Sequence, residues 1–181
     1  MSGKLGPEVI GAGHSFERVL PDELVTFIAR WEAWRPTRYA DGTRKRETPA
    51  GPIGSTVWSI GYGHAEDGDN EPKIIPADMV LTKEQGLAIL KADIAKKAHF
   101  IDVRVKVPLT TYQFGALTSL CFQYGNGRLD NSGLFHLLNA GNYVDAACEM
   151  LDLFTTTSGT IRKGLRFRRA AELAFFLTWK N

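Results

Sequence analysis

Leu24, Phe27, Ile28 and Trp31 recur at i, i+3, i+4 and i+7. This single apolar stripe has the helical period and predicts a helix opened by Pro21-Asp22-Glu23. The two acids fall in its first turn, where the helix dipole favours negative charge. Pro36 ends it, because proline disfavours helical geometry in the residue before it. Glu32 is therefore expected in the last turn, beside the buried stripe. From 37 to 66 turn formers and β-formers alternate, with Asp41-Gly42 as a hairpin signal and Val57-Trp58-Ser59-Ile60 as the best short strand. Between them, Thr43 to Thr56 is polar, basic and broken by proline and glycine, either a long loop or an elongated hairpin. A loop of that length in a compact domain is usually functional.

The helical period then returns. Thr82-Lys83-Glu84-Gln85 is a capping box, starting a helix that runs through Leu87, Leu90 and Ile94 to about Lys97. Beyond Pro108 the pattern is helical throughout. Tyr112 to Tyr124 is apolar nearly all round, as a central buried helix would be. Shorter helices follow near 132–139 and 142–154, separated by Gly141, and a last one covers about 164–179. Residues 1–20 are glycine-rich without a period and read as an extension, tied down by Val9, Ile10 and Phe16. One helix, a small β region and then helices alone predict an α+β fold. A β-containing lobe over about 37–80 is joined by a helix to an all-helical lobe over about 98–181. The chain of 181 residues supports one such domain over 21–181, not several independent ones.

The 44% hydrophobic and 23% charged composition is that of an ordinary globular protein. Net charge is only +2, but Arg162, Lys163, Arg166, Arg168, Arg169 and Lys180 crowd the C-terminal end against the single acid Glu172. Such an end suits an anionic partner or is simply a solvated helix face. Cys121 and Cys148 both lie in apolar helical stretches and are expected to be buried reduced thiols rather than a bridge. There is no basic region followed by a 7–15-residue apolar run, and no segment of membrane-spanning length. These features predict cytoplasmic accumulation without stable membrane insertion.

Several chemistries are excluded. Gly61-x-Gly63 lacks the longer glycine fingerprint and there is no P-loop, so nucleotide binding fails. His14, His64, His99 and His136 have no metal-ligand spacing, and no cofactor is expected. A serine-hydrolase elbow is absent. What remains is a carboxylate pair, Glu32 and Asp41, on separate elements. Glycosidic bond cleavage by acid plus base requires two such groups facing each other across the substrate.

Glu32-Ala33-Trp34-Arg35-Pro36-Thr37-Arg38-Tyr39-Ala40-Asp41, followed by Ser59-Ile60-Gly61-Tyr62-Gly63-His64, resembles the phage lysozyme family of muramidases (glycoside hydrolase family 24). That family's hallmark is Glu, eight residues, Asp or Cys, five residues, Thr, then Ile-Gly-x-Gly-His. Gln113 to Leu117 and Phe122 to Gly127 are similar to its central helix and the turn after it. Gly164 to Glu172 is similar to its closing helix. The resemblance spans about 22 to 177, in the family's order. Two departures stand out: Ser59 replaces the threonine, and the five-residue spacer has become seventeen residues, Gly42 to Trp58. Serine keeps the hydroxyl but loses the methyl that restrains χ1.

The resemblance implies a lysozyme-like fold and catalysis by Glu32, Asp41 and Ser59. Glu32 would be the acid, since partial burial favours a protonated carboxyl. Asp41 would stay ionised, and Ser59 would hold the attacking water. Phe122, Gln123, Ser132 and Glu149 match positions lining the saccharide cleft. His64 and Arg166 are supporting residues: His64 caps the β lobe, and Arg166 lies close to Glu32, with Arg169 competing for that match. The implied activity is hydrolysis of the β-1,4 bond between N-acetylmuramic acid and N-acetylglucosamine in peptidoglycan. The protein would be a monomeric endolysin with no nucleic-acid partner, reaching the periplasm through a separate holin-like pore. A lytic transglycosylase on the same bond, or a non-catalytic glycan-binding protein on a lysozyme scaffold, are the alternatives.

Overall fold

A computed structural model describes residues 18–46, 53–66, 74–153 and 163–178. The expected anchors Val9, Ile10 and Phe16 lie outside these residues, as does the middle of the 43–56 segment. The chain divides into two compact units. One is Val25–Asp93; the other comprises the chain before and after it.

The first helix, α1 (Leu24–Ala29), is shorter than its stripe suggests. It starts as the Leu24 N–H reaches the Pro21 carbonyl at 3.0 Å, so Asp22 and Glu23 precede its first turn. It ends in a tight turn in which the Trp31 N–H bonds the Ile28 carbonyl at 2.9 Å. Leu24 and Ile28 are buried, but Trp31 is 36% exposed. Glu32 therefore stands outside the helix rather than in its last turn. The chain leaves the helix early because Arg35 pairs with Gly61 in the sheet, and that pairing overrides the helical pattern.

Strand β1 (Arg35–Arg46) pairs antiparallel with β2 (Ile53–Gly61), which pairs with the two-residue β3 (His64–Ala65). Asp41-Gly42 is not the hairpin turn. The register slips between Ala40 and Thr43, and Gly42 has φ 124°, so the pair forms a bulge inside β1. The segment expected to be a loop or an elongated hairpin carries strand up to Arg46 and again from Ile53. Beneath the sheet Ile60, Ile75 and Leu81 are buried, with Trp34, Met79 and Ile89 packed against them.

Helix α2 (Lys83–Arg104) begins at the expected capping box, with Thr82 N–H to Gln85 Oε1 at 2.8 Å and Gln85 N–H to Thr82 Oγ1 at 3.2 Å. It runs past Lys97 because buried Ile94, Ala98, Ile101 and Val105 continue the apolar stripe. Gly86 sits within it, where glycine costs about 0.5–1 kcal/mol relative to alanine. A Cβ there would lie 2.7 Å from Trp34 Cη2 and closer still to Cζ3, so only glycine admits the indole.

The rest is helical: α3 (Thr111–Tyr124), α4 (Asn126–Asp130), α5 (Leu134–Asn139), α6 (Tyr143–Asp152) and α7 (Lys163–Phe176). Phe114 to Cys121 of α3 are all buried, as expected of a central helix. The short α4 was hidden in the sequence by Gly125 and Gly127. Gly115 lets α3 approach its neighbours closely, since a Cβ would meet Pro21 Cγ at 2.7 Å and Phe175 Cε1 at 3.0 Å. Arg18 is buried and bonds Asp102 Oδ1 at 2.8 Å, Val105 O at 2.7 Å and Val107 O at 2.9 Å. Cys121 and Cys148 are free thiols. Cys121 is buried, and that burial pushes its thiol up to about 12. Cys148, expected to be buried, is exposed on α6. No helix among the described residues is long and apolar enough to cross a membrane.

Candidate active site

The Val25–Asp93 unit carries Glu32, Asp41, Ser59 and His64. Asp41 belongs to the β1 bulge, which turns the strand locally away from regular pairing. Ser59 sits on β2, paired in register with Tyr39, and is fully buried. Its hydroxyl donates to Asp41 Oδ2 at 3.0 Å. The bulge thus brings an exposed strand carboxylate onto a buried strand hydroxyl.

Glu32 is half-buried in the irregular stretch between α1 and β1. The Gly61-Tyr62-Gly63 turn passes close to it: a Cβ on Gly63 would lie 3.6 Å from Glu32 Oε2. Gly61 and Gly63 have φ of 68° and 83°, a region that favours glycine. Electrostatics links the two carboxylates to Tyr39. Burial pushes the Tyr39 phenol above 10.0, and the charges of Asp41 and Glu32 push the same way. A hydrogen bond with Ser59 and the charge of Arg35 oppose them. Tyr39, which feels both carboxylates, was not singled out from sequence, although it lies inside the motif that carried the resemblance.

His64 is buried on β3, and its Nδ1 is 2.7 Å from Asp93 Oδ2 on α2. This pair ties the sheet to the helix. Asp93 was not singled out from sequence, because a carboxylate on an amphipathic helix ordinarily faces solvent.

Phe122, Gln123, Ser132, Glu149 and Arg166 belong to the other unit. Ser132 and Glu149 meet at one turn. Glu149 Oε1 accepts from the Gly133 N–H at 3.2 Å, while the Ser132 hydroxyl donates to Leu129 O at 2.7 Å and accepts from the Leu134 N–H at 3.4 Å. Phe122 is half-buried and Arg166 is exposed. Gln123 Oε1 accepts from Arg169, which also pairs with Glu172. Glu172 is wholly buried and further bonds Ser119 Oγ at 2.6 Å and Arg168 Nε at 3.1 Å. Two arginines of the cationic C-terminal end are therefore buried in a network rather than displayed on a solvated face. Burial lowers the Arg169 guanidinium pKa, with the Glu172 charge acting against it. Among the described residues no group of His, Cys, Asp and Glu side chains is arranged to hold a metal ion.

Comparison with known proteins places these features in a lineage. A family model described as Phage lysozyme matches residues 29–172. The endolysin of Acyrthosiphon pisum secondary endosymbiont phage 1 is 35% identical over 122 residues, covering 66% of this chain and 79% of that protein. The endolysin of Bacillus phage B103 is 34% identical over 141 residues, covering 78% of this chain and 51% of that protein. The chain thus spans about half the length of the latter. Among solved structures, the muramidase domain of SpmX from Asticaccaulis excentricus superposes with a TM-score of 0.69 at 27% identity. That superposition covers 89% of this chain and 99% of the muramidase domain.

Proposed function

We propose, for a chain that belongs to the phage lysozyme family and has its α+β fold, that it is an endolysin-type muramidase. Its substrate is the peptidoglycan glycan strand, and the bond cut is the β-1,4 link between N-acetylmuramic acid and N-acetylglucosamine. Glu32 donates a proton to the leaving glycosidic oxygen as the bond to the anomeric carbon breaks. Asp41, oriented by the Ser59 hydroxyl, directs a water to that carbon and takes up its proton. Two carboxyl groups with these separate roles are what hydrolysis through an oxocarbenium-like transition state needs. The observation that carries this reading is the 3.0 Å bond from Ser59 to Asp41 in the unit that also holds Glu32. A transglycosylase, which uses the sugar's own hydroxyl, has no use for a water-holding pair.

Phe122, Gln123, Ser132 and Glu149 line the saccharide path in this reading. The protein accumulates in the host cytoplasm and reaches peptidoglycan through a separate pore. The basic 43–56 segment contacts substrate or wall in this reading. Glu32→Gln is expected to lower lysis of wall preparations by at least about 100-fold, the scale of general acid catalysis, at an unchanged melting temperature. Mass spectrometry of the products from purified peptidoglycan should give reducing ends and no anhydro-muramic ends. Anhydro products, or a Glu32→Gln protein within tenfold of wild type, would overturn the proposal.

A further inference from the structure

Glu32 lies beyond the end of α1, and the residues that follow it to Trp34 have no regular structure. Two residues on, the Trp34 indole is wedged between two elements. On one side is Gly86 of α2, where a Cβ would collide with ring atoms Cζ3 and Cη2. On the other is the Gly61-Tyr62-Gly63 turn: a Cβ on Gly61 would lie 3.8 Å from Trp34 Cζ3, and the Tyr62 ring centroid is 4.9 Å from that of Trp34 at an interplanar angle of 46°. The far glycine of the same turn, Gly63, is the one that approaches Glu32 Oε2. The indole also packs on buried Ile60, Ile75 and Leu81.

We infer that Trp34, seated against Gly86 and Tyr62, is a positioning residue for Glu32, and that Gly86 is glycine to admit it. The inference rests on the reading of Glu32 as the acid. It accounts for a glycine inside a well-capped helix, where helical propensity alone selects against it. It also gives the Ile-Gly-Tyr-Gly run a mechanical role. Gly61 lies beside the indole and Gly63 beside the carboxylate, and their φ of 68° and 83° shapes the turn that joins the two. Displacing the indole moves the chain on one side of Glu32 and the turn on the other. A shift of about 1 Å in a catalytic group costs on the order of 100-fold in rate.

The test is a kinetic set on the full chain: Glu32→Gln, Trp34→Phe, Gly86→Ala, and the Trp34→Phe/Gly86→Ala double variant. Trp34→Phe adds no atoms and shortens the ring at the end facing Gly86. It is expected to lower kcat by about three- to tenfold with KM within about twofold, the signature of misplacement rather than lost binding. Gly86→Ala alone should lower kcat by at least about tenfold, again with KM preserved. The double variant should recover to within about twofold of Trp34→Phe, because the shorter ring makes room for the methyl. A wild-type kcat in Trp34→Phe overturns the inference, whether or not Gly86→Ala folds. So does a double variant no better than Gly86→Ala. An active Glu32→Gln protein would instead overturn the assignment of the acid. An inactive Glu32→Gln with unaffected Trp34→Phe removes only the positioning role.

Discussion

Ser59 is fully buried and its hydroxyl is spent on Asp41 Oδ2 at 3.0 Å. A strand position with no other duty would favour a β-branched apolar residue, so the two roles give opposite expectations. If the hydroxyl orients Asp41 and the attacking water, Ser59→Thr retains most activity, while Ser59→Ala and Ser59→Val lose about tenfold or more. Ser59→Val with wild-type lysis rates would show that the hydroxyl is idle. Tyr39, beside the same residues, has a pH response of its own. Its phenol is raised above 10.0, first by burial and then by the charges of Asp41 and Glu32. A raised native pKa means that the folded chain binds the proton more tightly than the unfolded one. That contribution is complete below pH 10.0 and is lost as the pH climbs past it. Stability should accordingly fall as pH rises above 10.0, and Tyr39→Phe should remove that part of the fall. Asp41→Asn should bring the tyrosinate absorbance transition of Tyr39 to lower pH. Glu32, Asp41 and Ser59 were singled out from the sequence because their spacing matches a family pattern. Trp34 and Gly86 were not, because their relation is a contact across 52 residues of chain, which no local period records.

At the scale of elements, capping boxes were the most faithful signals. Thr82–Gln85, read from the sequence, and Thr110–Gln113, which the sequence reading passed over, each satisfy two backbone donors reciprocally, and the helices start where they do. Thr110→Ala is expected to cost about 1 kcal/mol. That loss should lower the melting temperature by about 2–4 °C, measurable by calorimetry. An unchanged transition would show that packing alone holds the start of α3. Helix ends and turns were less legible. The stripe through Trp31 obeys the helical period, yet α1 stops at Ala29 because Arg35 is claimed by Gly61. Asp41-Gly42 has the composition of a hairpin turn and is a bulge, because strand pairing continues on both sides of it. In each case a partner distant in sequence overrode a sound local preference.

Across the whole molecule, where charge is buried distinguishes structural ions from solvated ones more sharply than the net charge of +2 does. Arg18–Asp102 and the Arg168–Arg169–Glu172 group are withdrawn from solvent. Arg104–Asp130, at 2.9 Å, leaves side chains 41% and 36% exposed. Coulomb attraction between exposed groups is offset by solvation and side-chain entropy, so such a bridge contributes less than about 1 kcal/mol. Removing one partner of a buried group costs more, because the remaining charges stay in a medium that solvates them poorly. Glu172 is the decisive case, since two buried guanidiniums share its carboxylate and Ser119 donates to it. Glu172→Ala should cost about 3–5 kcal/mol in denaturant unfolding. Asp130→Ala, by the same measurement, should cost less than about 1 kcal/mol. Because Arg169 also holds Gln123, the Glu172 variant should raise KM for peptidoglycan even under conditions where it remains folded. Equal costs for Glu172→Ala and Asp130→Ala would mean that solvent reaches the network. An unchanged KM would mean that Gln123 holds its place without Arg169.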